Sequence, residues 1–449
     1  MTGLLRTRLR RSPRLSALAR GLRGFVRGGS AATTRSGTET TPGGPVDDRV
    51  PQLRRVTFVA SPRSGYRLNL VVPTLGAART FGGIRTAIDV FEAIAGETIE
   101  RRIVSVGRST SGADAAVPAY TRVTAGEDPT ELLQLVALDR PWAPLAIRQD
   151  DVFVATYWTT AELVVRIRRW QAETHDHAPD HSAYVIQDFE PAFFPWSAQW
   201  MLARATYDAS AETVAIFNTS LLQDHFHASG IGFEHEFAFE PRLLPALRRA
   251  IASPSIPRSR TIVVYGRPGI SRNAFPAIVD GLRAWRASDP NAAEWTVISV
   301  GEAHREIDLG GGVALRSIGK VDLETYATLL HGSAIGVSLM VSPHPSYPPL
   351  EMAHLGMLVL TNGFGAKDLS TWHTNIRSVA DVSAGTIATE LSALCRRFEA
   401  DPEIGVRGRS ARPDFASDAP QFPFATEVAE LLRRGAGTDR KPSPRPAPD

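Results

Sequence analysis

The sequence predicts an α/β protein of two doubly wound, Rossmann-like domains facing across a cleft. Short apolar runs alternate with helical patterns along most of the 449 residues, the rhythm of parallel sheets covered by helices on both faces. The series runs twice, and the Pro-, Arg- and Ser-rich stretch Pro241–Arg260 separates the two runs. With 43% hydrophobic and 22% charged residues, the composition is that of a globular chain and excludes global disorder, collagen and coiled coil. No apolar run approaches the length of a spanning helix. A single cysteine, Cys395, excludes an intramolecular disulfide framework and fits a reducing compartment. The expected layout is a basic segment and linker at 1–50, a first Rossmann-like domain at 51–255, a second at 256–434, and a disordered, Pro-rich tail at 435–449.

The head carries nine arginines and no acidic residue in residues 1–37. Ser12 and Pro13 read as a helix start and Gly28-Gly29 as a stop. Between them Leu15, Leu18, Leu22, Phe25 and Val26 share a helical face opposite Arg20, Arg23 and Arg27. Such a helix suits an anionic membrane surface, with residues 12–28 as the contact; a disordered Arg-rich tail and a transit peptide are the other readings of the same residues. Thr33 to Pro51 is linker. The rest of the chain is mildly acidic, so the positive charge is confined to the head and a nucleic-acid role is not expected.

In the first half Arg67–Pro73, Arg102–Val106, Asp151–Thr156, Ala183–Gln187 and Thr213–Phe217 read as buried strands, with helices near 83–96, 160–172, 198–208 and 219–229. The Gly82-Gly83 turn after the first strand lets backbone approach a ligand. Asp188 and Glu190 follow the fourth strand beside Phe189, Phe193, Phe194 and Trp196. Carboxylates accept sugar hydroxyls and aromatic rings pack on sugar faces, so this segment suits acceptor recognition; simple core packing explains the aromatic residues equally well. His175, Asp176, His177, Asp180 and His181 crowd one segment, which reads as a solvated loop rather than a metal site.

In the second half Thr261–Tyr265, Trp295–Val300, Ala334–Met340 and Met357–Leu360 read as strands, with helices near 273–287, 322–331, 348–355 and 383–399. No phosphate loop of the G-x4-GK[ST] type, no GxGxxG after a strand and no GxSxG elbow occurs, nor an Asp-x-Asp pair for a divalent metal. The anion candidates are Gly266-Arg267 at the end of the first strand and Arg272 at the next helix start, where unpaired N–H groups favour phosphate. Lys320 stands before another helix start, one of only three lysines with Lys367 and Lys441. Ser342–Gly356 (SPHPSYPPLEMAHLG) is stiffened by four prolines and delivers Glu351 at a helix start. There a carboxylate gains from the helix dipole and can accept from two adjacent sugar hydroxyls. Backbone N–H groups around Ser346 and Tyr347 are placed for a phosphate or hexose.

These residues resemble the donor-binding domain of retaining glycosyltransferases of the GT-B fold, family four, and more specifically the WsaF-type rhamnosyltransferases of bacterial surface-glycan assembly. The resemblance rests on Tyr184–Trp196 (YVIQDFEPAFFPW), Asn218–Asp224, Tyr265–Pro268, Gly319-Lys320 and His344–Glu351, and spans roughly residues 65–400. It implies that Arg267 and Lys320 bind the diphosphate as the catalytic cations and that Glu351 binds the ribose. It also implies a nucleotide sugar such as dTDP-rhamnose as donor substrate, no cofactor and no metal. One departure stands out: the first glutamate of the family's E-x7-E motif falls on Pro343, so the usual carboxylate toward the donor hexose is missing. The expected reaction is metal-independent sugar transfer with retention to a glycan or lipid-linked glycan, in the cytoplasm or on the inner face of the plasma membrane. A sugar-nucleotide epimerase or hydrolase on the same scaffold, and a membrane-docked non-catalytic body, remain open on the residues alone.

Overall fold

A computed structural model describes residues 50–435 apart from 51–52, 54, 77–81, 108–112, 179, 210 and 252–255. The basic helix expected at 12–28, the linker expected at Thr33–Pro51 apart from Val50, and the tail beyond 435 lie outside the described residues. Of the described helices, none is long and apolar enough to cross a membrane.

The first half opens with β1 (Val56–Ala60) and β2 (Arg67–Val72), followed by α1 (Gly83–Ala95), β3 (Glu100–Ser105), β4 (Thr121–Val123), β5 (Leu133–Ala137), β6 (Ala143–Ile147), β7 (Asp151–Ala155) and α2 (Trp158–His175). It continues through β8 (Ser182–Ile186), α3 (Ala198–Ala205), β9 (Thr213–Asn218), α4 (Ser220–Ala228) and β10 (His235–Phe239). Eight strands form one sheet in the order β10-β9-β8-β7-β2-β3-β5-β4, and β1 pairs with β6 alone. All of these pairs are parallel. Alternation along β2 shows why both faces are covered: Leu68, Leu70 and Val72 enter one core while Val71 enters the other.

The second half repeats the plan with α5 (Pro245–Ile251), β11 (Ser259–Gly266), α6 (Phe275–Ser288), β12 (Thr296–Gly301), β13 (Ile307–Gly310), β14 (Val313–Gly319), α7 (Leu323–Gly332), β15 (Ser333–Val337), α8 (Tyr347–His354), β16 (Leu358–Asn362), β17 (Ile376–Val379) and α9 (Ala384–Ala400). The strand order is β13-β14-β12-β11-β15-β16-β17, parallel except for the β13–β14 hairpin. Ile262 and Val264 face one core and Val263 the other. In both sheets the first long strand, β2 or β11, has neighbours running outward on either side. Each sheet therefore has a switch point at its carboxyl edge, where such folds open a crevice.

Two boundaries differ from the expected ones. Leu243 and Leu247 are buried with Val263, Leu330 and Phe415, so the chain enters the second half before residue 243 rather than at 256. The last helix, α10 (Ala425–Gly435), returns to the first half: Phe424, Val428, Ala429 and Leu432 join Val90 and Phe91 in its core. Outgoing and returning chain meet where Gln421 donates to the Glu240 carbonyl at 3.0 Å. The apolar stripe of α10 is legible, but periodicity does not say which of two cores receives it. The strand expected at Ala334–Met340 stops at Val337, because Asn362 takes over the Met340 backbone, accepting from its N–H at 2.6 Å and donating to its carbonyl at 3.1 Å.

Candidate functional site

The carboxyl edge of the second sheet is built from glycines. Gly266 pairs with Gly301 across β11 and β12, and Val300 with Gly319 across β12 and β14. A side chain on Gly266 would meet the Ser299 hydroxyl at 2.1 Å, and Gly319 turns the chain with φ +66°. Arg267 and Lys320 leave from these positions two strands apart, roughly 10 Å at the backbone, within reach of one ligand for two long side chains. Lys320 is exposed at the start of α7, whose first turn is capped by Asp322 accepting from the Thr325 N–H at 2.8 Å.

On the other side of β11 lies the loop from β15 to α8. Glu351 is buried, and the Tyr326 hydroxyl donates to it at 3.2 Å. Burial pushes its carboxyl up to about 7. Tyr265 lies in the field of both Arg267 and Glu351, so the expected diphosphate cation and the expected ribose acid flank one phenol. The helix start offers fewer donors than expected. Ser346, at φ +68°, spends its N–H on His344 Nδ1 at 3.0 Å, and Pro348 and Pro349 carry none. Burial, with Lys367 and Arg272 nearby, pushes the His344 imidazole down to about 3, so it stays neutral and accepts. The Tyr347 side chain instead crosses to the first half, where Asn218 donates to its hydroxyl at 3.5 Å.

The first-half wall carries Gly82, at φ +68°, and Gly83, where a side chain would meet the Gln187 amide oxygen at 2.5 Å. Asp188 follows Gln187 and reaches across the seam. The Ser342 hydroxyl donates to it at 2.5 Å, Arg272 lies 3.5 Å away, and the Phe189 N–H donates from the same loop. Burial raises its carboxyl, while Ser342 and Arg272 oppose the rise. Arg272 also lies 4.3 Å from the centre of the Phe193 ring. A small cleft pocket is lined by Asp188, His225, Arg272, Ser342, Pro343 and Phe364. It brings both halves together at the position where the motif lacks its glutamate.

Glu190 is a correction. It is only 2% exposed and accepts from the Tyr184 hydroxyl at 2.7 Å and from the Trp158 N–H. Its side chain, at the first residue of the 3-10 turn Glu190–Phe193, is held in the first-half interior. The aromatic residues divide as well. Phe189 packs on Phe226 at 5.5 Å and Phe194 on Trp158 at 5.8 Å, whereas Trp196 is 87% exposed against Trp200. In the histidine-rich segment, the rings of His175 and His177 stack at 6.3 Å. Among the described residues no group of His, Cys, Asp or Glu is placed to hold a metal ion. Sequence reasoning missed Tyr326, Ser342, His344 and Lys367; the rarity of lysine was a usable signal for the last.

Family models agree with both halves: one described as WsaF, N-terminal domain, matches residues 67–220, and one described as WsaF, C-terminal domain, matches residues 260–392. Together they cover more than half of the chain. The O-antigen biosynthesis protein RfbC of Myxococcus xanthus is 29% identical over 225 residues, which are 50% of this chain and 16% of that protein. Among solved structures, WaaG, a glycosyltransferase involved in lipopolysaccharide biosynthesis, is similar with a TM-score of 0.50 at 11% identity, over 81% of this chain and 99% of that one. That likeness is one of fold.

Proposed function

The chain belongs to the WsaF family of GT-B glycosyltransferases, and on that premise we propose that it moves rhamnose from dTDP-rhamnose onto a bacterial surface-glycan hydroxyl, with retention and without a metal. The observation that carries this reading is the grouping of Arg267, Tyr265 and Glu351 at the carboxyl edge of the second sheet, with Lys320 two strands away. Arg267 and Lys320 would hold the diphosphate and Glu351 the ribose hydroxyls. The acceptor enters along the first-half wall at Gly82 and Gly83. As the bond from the anomeric carbon to the phosphate oxygen breaks, charge collects on the diphosphate. Fixed cations in a water-poor cleft stabilise that charge, commonly the largest catalytic contribution. The acceptor oxygen bonds to the anomeric carbon on the same face, and its proton passes to the departing phosphate. No side chain is required as base. The basic head would keep the enzyme on the anionic inner face of the membrane.

The test is a ligand screen of dTDP-, UDP- and GDP-sugars. At a hundredfold excess over Kd the true donor stabilises the fold by about 2.7 kcal/mol, read as a raised thermal transition. Turnover then requires acceptor and survives chelator. Consumption of donor without acceptor would favour the epimerase or hydrolase reading, and no shift with any of the sugars would remove the transferase reading. Because Lys320 is exposed, Lys320→Ala is expected to lower turnover about 10²-fold with the thermal transition unmoved. Full activity in that variant would end its assignment as a diphosphate cation.

A further inference from the structure

Lys367 is a charged side chain of the seam that the reading above leaves unused. It follows β16, is 2% exposed, and its ammonium donates to the Met340 carbonyl at 2.5 Å. The loop carrying Ser342 and His344 is thereby pinned by Lys367 and Asn362 together. An ammonium has three N–H donors, and among the described residues Met340 is its one hydrogen-bond acceptor. Two buried donors are thus left over, a state proteins rarely tolerate without a ligand or water. The opposite charge in its field is Asp188, yet no ion pair forms within 4.0 Å. The other titratable group in its field is His344, which is neutral. Asp188 is meanwhile fixed by Ser342 and Arg272 beside Pro343.

Lys367 and Asp188 thus hold the two ends of one short stretch, Lys367 the Met340 carbonyl and Asp188 the Ser342 hydroxyl, without pairing with each other. A phosphate beside them would meet the like charge of Asp188. A sugar hydroxyl satisfies both sides at once, since it accepts from Lys367 and donates to Asp188. We propose that Lys367 is a specificity-determining residue of the donor site, binding a hydroxyl of the transferred sugar jointly with Asp188 and filling the place of the carboxylate that Pro343 removes. This rests on the transferase reading, and it moves Asp188 from the acceptor to the donor sugar. Burial pushes the Lys367 ammonium down to about 7, with Asp188 opposing, so its hydroxyl-binding charge is present below that pH and fades above it.

The test compares dTDP with dTDP-rhamnose by calorimetry on the full chain. Lys367→Met is expected to leave the affinity for dTDP within about twofold, to abolish the extra affinity of the nucleotide sugar, and to lower transfer about 10²-fold. Asp188→Asn should produce the same split, and the double variant should be no worse than either, because both act through one hydroxyl. Lys367→Gln keeps a donor for the Met340 carbonyl without the charge and should behave as Lys367→Met. If Lys367→Gln restores wild-type binding, or if Lys367→Met weakens dTDP itself, the lysine only anchors the loop and the proposal falls. Equal losses for additive single variants would overturn the shared hydroxyl. Should the wild-type protein bind neither dTDP nor the sugar, the transferase reading fails first, a separate outcome.

Discussion

Replacing Glu351 with glutamine is expected to lower kcat/KM for the donor about 10³-fold while leaving the protein folded. A charge-assisted hydrogen bond to a hydroxyl contributes about 1.5–3 kcal/mol, and a carboxylate across two adjacent hydroxyls makes two of them. The amide of glutamine still accepts from Tyr326, whereas alanine would leave that buried hydroxyl unpaired and confuse lost binding with lost stability. The loss should fall mainly on KM, because the ribose does not change during the reaction. pH dependence gives a second readout. The Glu351 carboxyl, raised to about 7 by burial, is mostly protonated below neutrality, so donor affinity should climb toward pH 7 and level above it. Glu351→Gln should flatten that climb. Stability moves oppositely: the folded state holds the proton where the unfolded chain has released it, so Glu351 costs stability as pH rises from its usual 4.5 toward 7. Unchanged kcat/KM together with an unchanged pH profile of donor binding would remove Glu351 from the ribose.

How far the sequence could be read follows from what each signal depends on. The central strands were legible because burial on both faces needs continuous apolar runs, as in β7 (DVFVA) and β8 (SAYVI), both wholly buried. The strands that escaped are short or sit near an edge: β4 exposes two of its three residues, and β6 contains Pro144. Gly266, Arg267, Lys320 and Glu351 could be named because each occupies a strand end or a helix start, where spacing and local chemistry coincide. Asp188 and Glu190 could not be told apart, since only their distant partners, Ser342 for one and Tyr184 with Trp158 for the other, hold one across the seam and the other in the core. Lys367 carried no signal beyond the rarity of lysine in this chain. Its meaning comes from Asp188 and Met340, which the fold brings to it, and a single sequence does not display contacts between distant segments.

At the opposite end of the first sheet, Asp151→Ala is expected to produce the largest loss of stability. Arg67, Arg102 and Arg148 are fully buried there, at the amino ends of the strands. Asp151 accepts from Arg67 Nε and Nη2, each at 2.7 Å, from Asn69 at 3.0 Å, from Arg102 at 3.3 Å and from the Arg148 N–H at 2.9 Å. Asp128 takes the remaining faces of Arg67 and Arg148, and Glu100 also pairs with Arg148. With Arg63 on Glu100 and Asp128 as well, four cations meet three carboxylates, and removing Asp151 strands charge that guanidinium groups barely release. Burial and its arginine neighbours already hold Arg102 down to about 9. Breaking a buried pair in this way costs about 3–5 kcal/mol, and at about 2–4 °C per kcal/mol for domains of 150–250 residues the thermal transition should fall by on the order of 10 °C. Transfer at low temperature should persist, because the groups proposed to bind donor and acceptor lie at the carboxyl ends. The arginines hold both Asp128 and Asp151 below the usual carboxylate value of 3.8, against the opposing pull of burial. Their stabilisation is therefore complete above that pH and lost as pH falls through the folded values. Acid unfolding of the wild-type protein should steepen below pH 4, and Asp151→Asn should soften it. A transition lowered by less than about 2 °C, at most about 1 kcal/mol on this scale, would mean that water or neighbouring groups solvate the arginines well enough to make the carboxylate dispensable.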